Sequence, residues 1–474
     1  MHKRLLIPVP RELSFRPGVH LLSDHSVFAA CASQRERVLE LAERYWNIHP
    51  EFREISAEEK TASGEYAFSI EPELITLRAP SEEELLSAFK TLRQMAEPER
   101  GVMSGSSYVL PCAEVRDAPG VPFRGIHLCY FPETDEIQLE KMVRMAAACK
   151  FNYAVIEFWG TFPYQRHPEF QWEEKRGNRA FLRKLIDLGR DLGITLIPQI
   201  NLLGHAPGAS ISTAKHVVLD RHPEYGPLFE PDGWSWCLSN PAVRQIQKEL
   251  IAEVAELFGP VPFFHLGFDE AFNIATCSEC AKHSLSELML AHILFLHDEL
   301  AKYGSRMILW HDMFLDLDKE KWGDLVIQDR NGANPSDILE KLPCDILMAV
   351  WHYNPPQTDP SAPLWPTADH FASLGFHTVL CPWTNEQGIL TMARKAADRG
   401  LDGILQTTWN AVCGASAMRK YFFVSANKAW NSEWQPETGF ADEMLAVNRM
   451  FRMITQEMHL TKYEHLGCVS RFTV

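Results

Sequence analysis

The chain of 474 residues has no uncharged run of about 18 apolar residues, the length a helix needs to cross a bilayer. It has no signal-peptide core near its start: Met1-His2-Lys3-Arg4 leads into only Leu5-Leu6-Ile7 before Pro8. Basic charge is short. Lys and Arg number 46 against 62 Asp and Glu, for a formal charge of −16. That balance excludes a nucleic-acid footprint and a polybasic membrane anchor. No Gly-rich phosphate loop follows the first strand of the main domain, which argues against a nucleotide-binding open sheet. Internal repeats and low-complexity segments are also missing. The 11 Cys are odd in number and widely scattered, which suits reduced thiols rather than a disulfide framework. These absences predict a cytoplasmic globular protein.

What is present supports a large core. Hydrophobic residues make up 46% and charged residues 23%, an ordinary globular balance that needs no disulfide staples. Residues 1–118 read as a small α+β domain. Strand-like runs at Tyr66–Ile70 and Leu74–Leu77 precede a helix from Ser81 to Met95, whose first turn carries Glu82, Glu83 and Glu84. A second helix is predicted over Gln34–Trp46. The Pro/Gly punctuation of Arg116 to Pro122 marks a junction.

From Phe123 a different rhythm begins. Eight apolar runs are predicted as strands: Phe123–Tyr130, Tyr153–Phe158, Thr195–Ile200, Phe263–Phe268, Met307–Trp310, Ile346–Trp351, Thr378–Trp383 and Ile404–Trp409. Helix-like stretches lie between them. Near-continuous apolar strands are buried on both faces, as parallel strands are. Eight such units over 119–430 predict a (β/α)8 TIM barrel. A helical tail, 431–474, is expected to pack on the barrel.

A barrel builds its site at the C-terminal ends of its strands. The fourth run ends His265-Leu266-Gly267-Phe268-Asp269-Glu270. Adjacent carboxylates at a buried strand end raise one another's pKa and set a proton donor beside an anion. The plainer reading is a helix cap. The third run leads into Asn201-Leu202-Leu203-Gly204-His205. Four more end in Trp310, Trp351, Trp383 and Trp409, each beside polar residues such as Asn385. Aromatic walls with hydrogen-bonding edges suit an amphipathic sugar ring. Arg124 on the first strand offers a fork for two hydroxyls, or an ordinary salt bridge. Cys277-Ser278-Glu279-Cys280 has metal-ligand spacing for a structural zinc, with His283 in reach and Cys237 or His216 able to join only through the fold; a single such pair without a second pair nearby reads more simply as a loop of buried thiols or a redox pair.

These segments resemble glycoside hydrolase family 20, the β-N-acetylhexosaminidases. The His265 to Glu270 segment is similar to the family's His-x-Gly-x-Asp-Glu strand. Ile197 to Ala206 resembles its Ile-Pro-Glu-Ile-Asp-x-x-Gly-His-Ala segment, with Gln199 and Asn201 in place of two acids. Phe123-Arg124-Gly125 resembles the start of the first barrel strand. Phe89 to Met95 and Ile7 to Pro10 resemble the small domain.

The resemblance implies an exo-acting, retaining hydrolase of terminal GlcNAc or GalNAc, working by substrate assistance through an oxazolinium intermediate. It implies Glu270 as acid and base and Asp269 as the acetamido partner. Arg124 would bind hydroxyls, and His205 would sit near the pair. Trp310, Trp351 and Trp409 would wall the acetamido pocket and the sugar face. No cofactor is required. The expected partner is a small-molecule glycan, and a homodimer is left open. The sequence departs from the family at Cys129, where an Asp is usual, and at Glu157-Phe158-Trp159-Gly160. It departs again at Trp383 and Asn385, which replace a Tyr and an Asp, so a flattened GlcNAc/GalNAc preference is expected. The alternatives are a non-catalytic sugar-binding relative and a metal-dependent hydrolase built on Cys277 and Cys280.

Overall fold

The computed structural model describes residues 5–56, 61–98, 107–173, 177–207, 215–316, 318, 322, 335–355, 364–409, 415–436 and 439–460. Its contacts divide the chain into two units. The first gathers Met1–Pro122, Arg144–Phe151 and Cys413–Val474, and the second Phe123–Val143 and Asn152–Val412.

In the first unit β1 (Glu12–Leu22), β2 (Val27–Cys31), β3 (Glu51–Ile55), β4 (Tyr66–Ile70), β5 (Leu74–Arg78) and β7 (Tyr108–Asp117) form a mixed sheet ordered β1-β7-β4-β5-β2-β3. The two-residue β6 (Glu97–Pro98) pairs with β7. The helix Glu82–Met95 begins where the sequence predicts: the Ser81 side chain caps the Glu83 N–H, and three Glu residues face the positive end of the dipole. Its Leu85, Phe89 and Leu92 are buried against the sheet, where Phe89 stacks on Phe28. The first unit is thus the expected α+β module.

The C-terminal segment groups with the first unit. The chain returns to the first unit at Cys413, ahead of the expected boundary. In the helix Phe440–Glu457, Glu457 pairs with Arg93 and Arg144, both residues of that same unit. Ala446, Val447, Met450 and Ile454 recur at helical spacing and are buried. An apolar stripe specifies burial but not the surface that covers it.

In the second unit β8 (Phe123–Tyr130), β9 (Tyr153–Phe158), β10 (Thr195–Gln199), β11 (Phe263–His265), β12 (Arg306–Trp310), β13 (Leu347–Trp351), β14 (His377–Cys381) and β15 (Gly403–Gln406) close into a parallel barrel in chain order. Helices follow, among them Arg179–Asp191, Pro241–Phe258, Leu285–Ala301 and Glu386–Asp398. The (β/α)8 reading holds. The barrel interior is layered. Phe123, Tyr153 and Phe263 pack together at the strands' N-terminal end. Val155, Ile197, Ile308, Leu347, Val379 and Leu405 fill the middle, and Trp310 and Trp351 lie toward the C-terminal ends. Alternate residues point inward, as a pleated strand requires.

β11 is shorter than predicted. It stops at His265 because Gly267 and Phe268 take positive φ angles, +72° and +86°. The chain nevertheless stays in register, with Leu266 N donating to Ile308 O and Trp310 N to Gly267 O. The strand end is therefore bent in place rather than released.

Candidate active site

The bend after β11 brings Asp269 and Glu270 to the barrel mouth. Glycine is needed twice to build it. A Cβ on Gly267 would lie 2.3 Å from Asn201 Oδ1, and one on Gly204 would lie 2.3 Å from the backbone oxygen of Asp269. Four bulky residues around this point also hold left-handed backbone: His205 (φ 51°), Phe268 (86°), Glu270 (47°) and Trp409 (44°). Each such residue stores about 1–3 kcal/mol, and such strain clusters where side-chain aim matters more than stability.

His205 joins the pair. Its Nε2 lies 3.4 Å from Glu270 Oε2 and 3.7 Å from Asp269 Oδ2. Its ring sits between Trp234, at 4.3 Å, and the edge of Trp159, at 5.3 Å. Burial opposes a charge on this ring, but Asp269, Glu270 and Glu157 outweigh it and lift the pKa to about 9. At neutral pH His205 is a cation between acids.

Asp269 is buried, and its Oδ1 accepts no hydrogen bond. Burial first, then the negative fields of Asp312, Glu157 and Glu270, push its pKa well up against the pull of His205. Glu270 is held by its backbone: its N–H donates to Asp312 Oδ2 at 3.0 Å, and its carbonyl accepts from Trp234 Nε1. The Glu270 side chain is only partly buried. One carboxyl is thus enclosed and reluctant to ionise, while its neighbour is partly exposed on a backbone held at both its N–H and its carbonyl.

Glu157, at the end of β9, gathers its own set of donors. Its Oε1 accepts from Gln199 Nε2 and Asn201 Nδ2, both at 3.0 Å. Its Oε2 accepts from His127 Nε2 at 3.0 Å and from the Cys129 thiol at 3.4 Å. Burial raises the pKa of this carboxyl, but the donors reverse the shift and it lies below its ordinary value. Three of the donors, Cys129, Gln199 and Asn201, stand where the resembled family carries acids. In this chain all three donate to one carboxylate, Glu157. No short-range sequence signal links these four positions.

The Trp residues converge as expected. Trp310 is fully buried, its ring 4.5 Å from His265 and 5.6 Å from Trp409. Trp351 donates to Asp312 Oδ1 at 3.2 Å and stacks on Tyr353. Trp409 donates to the Tyr353 hydroxyl at 2.8 Å, and Trp383 meets the Tyr353 ring edge-on while donating to Thr408 O. Tyr353 is the hub of this wall and Asp312 its anchor. Both follow predicted strands, where strand-end position and polar character could have nominated them.

Two candidates fare differently. Arg124 is the second residue of β8, paired with Ile404 at the start of β15 and bonded through its backbone to Asn152 before β9. It lies in the strands' N-terminal layer, at the end of the barrel away from Asp269, and points opposite to the inward-facing Phe123 and His127. The structure does not bring it to the site. Asn385 lies near the mouth but caps the helix Glu386–Asp398. Its Oδ1 accepts from Gly388 N at 2.9 Å, and its Nδ2 donates to Asn354 Oδ1 at 3.0 Å. Capping occupies the acceptor that was expected to meet a sugar hydroxyl.

Cys277 and Cys280 come together with Cys237 and Glu230 in one cluster. His216 does not join them; it bonds Gly233 O.

The fold and site define a class: a (β/α)8-barrel protein with a carboxylate pair, a cationic histidine and an aromatic wall at the strands' C-terminal ends. The model of the glycosyl hydrolase family 20 catalytic domain matches residues 168–354, the stretch that holds His205, Asp269 and Glu270. A β-hexosaminidase of Vibrio furnissii is 24% identical over 298 residues, 52% of this chain and 46% of the relative. One from Akkermansia muciniphila is 25% identical over 238 residues, 44% of this chain and 45% of the relative. The chain spans less than half the length of these curated relatives. Among solved structures, a family 20 exo-β-N-acetylglucosaminidase from Vibrio harveyi shares the fold with a TM-score of 0.69 at 16% identity, over 97% of this chain and 78% of that one. The family 20 β-N-acetylhexosaminidase of Streptomyces coelicolor A3(2) does so at 0.66 and 12% identity, over 97% of both.

Proposed function

We propose that the chain is an exo-acting, retaining β-N-acetylhexosaminidase that removes terminal GlcNAc or GalNAc by substrate-assisted catalysis. The observation that carries this reading is the contrast within the Asp269–Glu270 pair. Glu270 is partly exposed and fixed through its backbone by Asp312 and Trp234, which suits a residue that gives a proton to a leaving oxygen and then takes one from water. Asp269 is enclosed, with one oxygen free of partners and its ionisation resisted first by burial and then by three acids. Such a carboxyl gains most when positive charge develops beside it. The 2-acetamido group acquires that charge as its oxygen attacks the anomeric carbon. The interaction is stronger in the transition state than in the ground state, which is the condition for acceleration.

The remaining residues support the pair. His205, charged at neutral pH, holds both carboxylates on one nitrogen. The Trp310, Trp351, Tyr353 and Trp409 wall offers apolar faces and a hydroxyl edge to a sugar ring.

The test is hydrolysis of aryl β-GlcNAc and aryl β-GalNAc by the unmodified protein and by Asp269→Ala. Turnover of either sugar, lost in the variant, supports the reading. Sugar binding without turnover would instead favour a non-catalytic relative and refute it.

A further inference from the structure

We propose that Glu230, Cys237, Cys277 and Cys280 form a closed structural zinc site that clamps together the two loops flanking the Asp269–Glu270 pair.

The ligand atoms of these four residues all lie within 4.8 Å of one another. Cys237 Sγ is 3.6 Å from the sulfurs of both Cys277 and Cys280. Two sulfurs on one tetrahedral zinc, each about 2.3 Å from the metal, lie about 3.8 Å apart. A disulfide would need about 2.05 Å. The spacing is therefore that of ligands around a shared centre.

Glu230 supplies the independent observation. It is 1% exposed. Its Oε2 accepts from the N–H groups of Thr276 and Cys277, at 2.9 and 2.7 Å. Its Oε1 is buried and takes no hydrogen bond of normal geometry. A buried carboxylate with no donor beyond the weak Cys280 thiol on that side is costly, and a cation at the cluster removes that cost. The Cys280 N–H lies 3.3 Å from Cys277 Sγ, a donor placed to stabilise a thiolate at Cys-x-x-Cys spacing. Cys237 and Cys280 are buried, so the site is shielded from water.

The donor set decides the metal. Three thiolates and one carboxylate favour zinc over magnesium or calcium, which prefer all-oxygen shells. Four protein ligands fill a tetrahedron and leave no open position for an activated water. This set is thus structural rather than catalytic and does not support a metal-dependent hydrolase.

The location gives the site its role. Cys277 and Cys280 lie on the loop that follows Asp269 and Glu270. Cys237 lies on the segment of the Phe229–Trp236 bridge, which also carries Trp234, the donor to the Glu270 carbonyl. Ser235 Oγ bonds Phe272 O across the same two loops. A metal joining Cys237 to Cys277 and Cys280 would fix the distance between the proton donor's backbone and its tryptophan support.

The experiment uses the full chain, expressed without a metal-affinity tag, purified under reducing conditions and dialysed against metal-free buffer. Elemental analysis should find about one zinc per chain. A zinc-selective chelator should lower the Tm by about 5 °C or more, and zinc, but not magnesium, should restore it. Glu230→Gln and Cys280→Ser should lose the zinc and the chelator response. If those variants fail to fold, cobalt exchange of the unmodified protein decides: thiolate-to-cobalt charge-transfer and tetrahedral d–d bands support the site. Protein without zinc after growth in zinc-supplemented medium, a Tm indifferent to chelator, or a Cys237 disulfide formed despite reduction would overturn it. None of these readouts depends on hydrolysis, so the site and the proposed activity can fail separately.

Discussion

Two buried carboxylates, one in each unit, differ in how far their hydrogen-bonding capacity is filled. Asp117 in the first unit accepts from Tyr66 Oη at 2.6 Å, Trp430 Nε1 at 2.8 Å, Lys150 Nζ at 3.1 Å and the backbone N–H of Arg11. Its charge is matched by a buried ammonium, and both oxygens are filled. Asp269 in the barrel has an empty Oδ1, three acids raising its pKa, and a histidine shared with its neighbour. The first arrangement is complete without a ligand. The second has capacity left over, and strained backbone on its own segment. Burial and charge alone do not separate them; unsatisfied hydrogen-bonding capacity does.

Predictions that would break or sharpen this contrast run from large effects to small. Glu270→Gln should lower kcat/KM on a natural disaccharide by about 10³-fold, with a smaller loss on an activated aryl glycoside, whose leaving group needs less protonation. Equal losses on both would remove Glu270 as the acid. Asp269→Ala should cost about 10²–10³-fold on 2-acetamido sugars with the Tm nearly kept, since the residue is already under-satisfied. Lys150→Met should do the reverse and destabilise the fold by about 3 kcal/mol in denaturant unfolding, because it leaves Asp117 buried without its cation.

The pH response of His205 comes next. Its folded pKa of about 9 lies above the ordinary 6.5, so its charge stabilises the fold in full below about 6.5, and that contribution is lost as the pH rises through 9. Both Tm and kcat/KM should decline over this window. In His205→Phe that decline in kcat/KM should vanish, which a pH profile of the two proteins would read. The smallest effect concerns Asn385. Asp caps a helix as well as Asn, so Asn385→Asp should change kcat/KM for either sugar by no more than about threefold. A larger change in the GlcNAc/GalNAc ratio would return Asn385 to the sugar site, where the sequence had put it.

The barrel was legible because its evidence is local. Period and length mark each strand, and β8 and β9 end where their apolar runs end. The carboxylate pair was legible because a strand end is a position the fold assigns. Arg124 was misplaced because likeness to a strand start carries no inward or outward sense; β8's alternation points it away from His127. The carboxylate Glu157 with its donors His127, Cys129, Gln199 and Asn201, and the cluster of Glu230 with three cysteines, were not legible. Each joins residues separated by dozens of positions whose meeting depends on loop paths. Cys129, Gln199 and Asn201 read singly as departures from the resembled pattern, and Glu157 as an acid that could replace a missing one; the structure shows all three donating to Glu157.

The most direct test of the account is a substrate series in which the 2-acetamido group of an aryl β-glucosaminide carries zero, one, two and three fluorines. Fluorine weakens the amide oxygen as a nucleophile and leaves the aryl leaving group unchanged. If Asp269 serves a reacting acetamido group, kcat/KM should fall steeply with each fluorine. Rates independent of fluorine content, or a sugar ester trapped on an enzyme carboxylate, would contradict it.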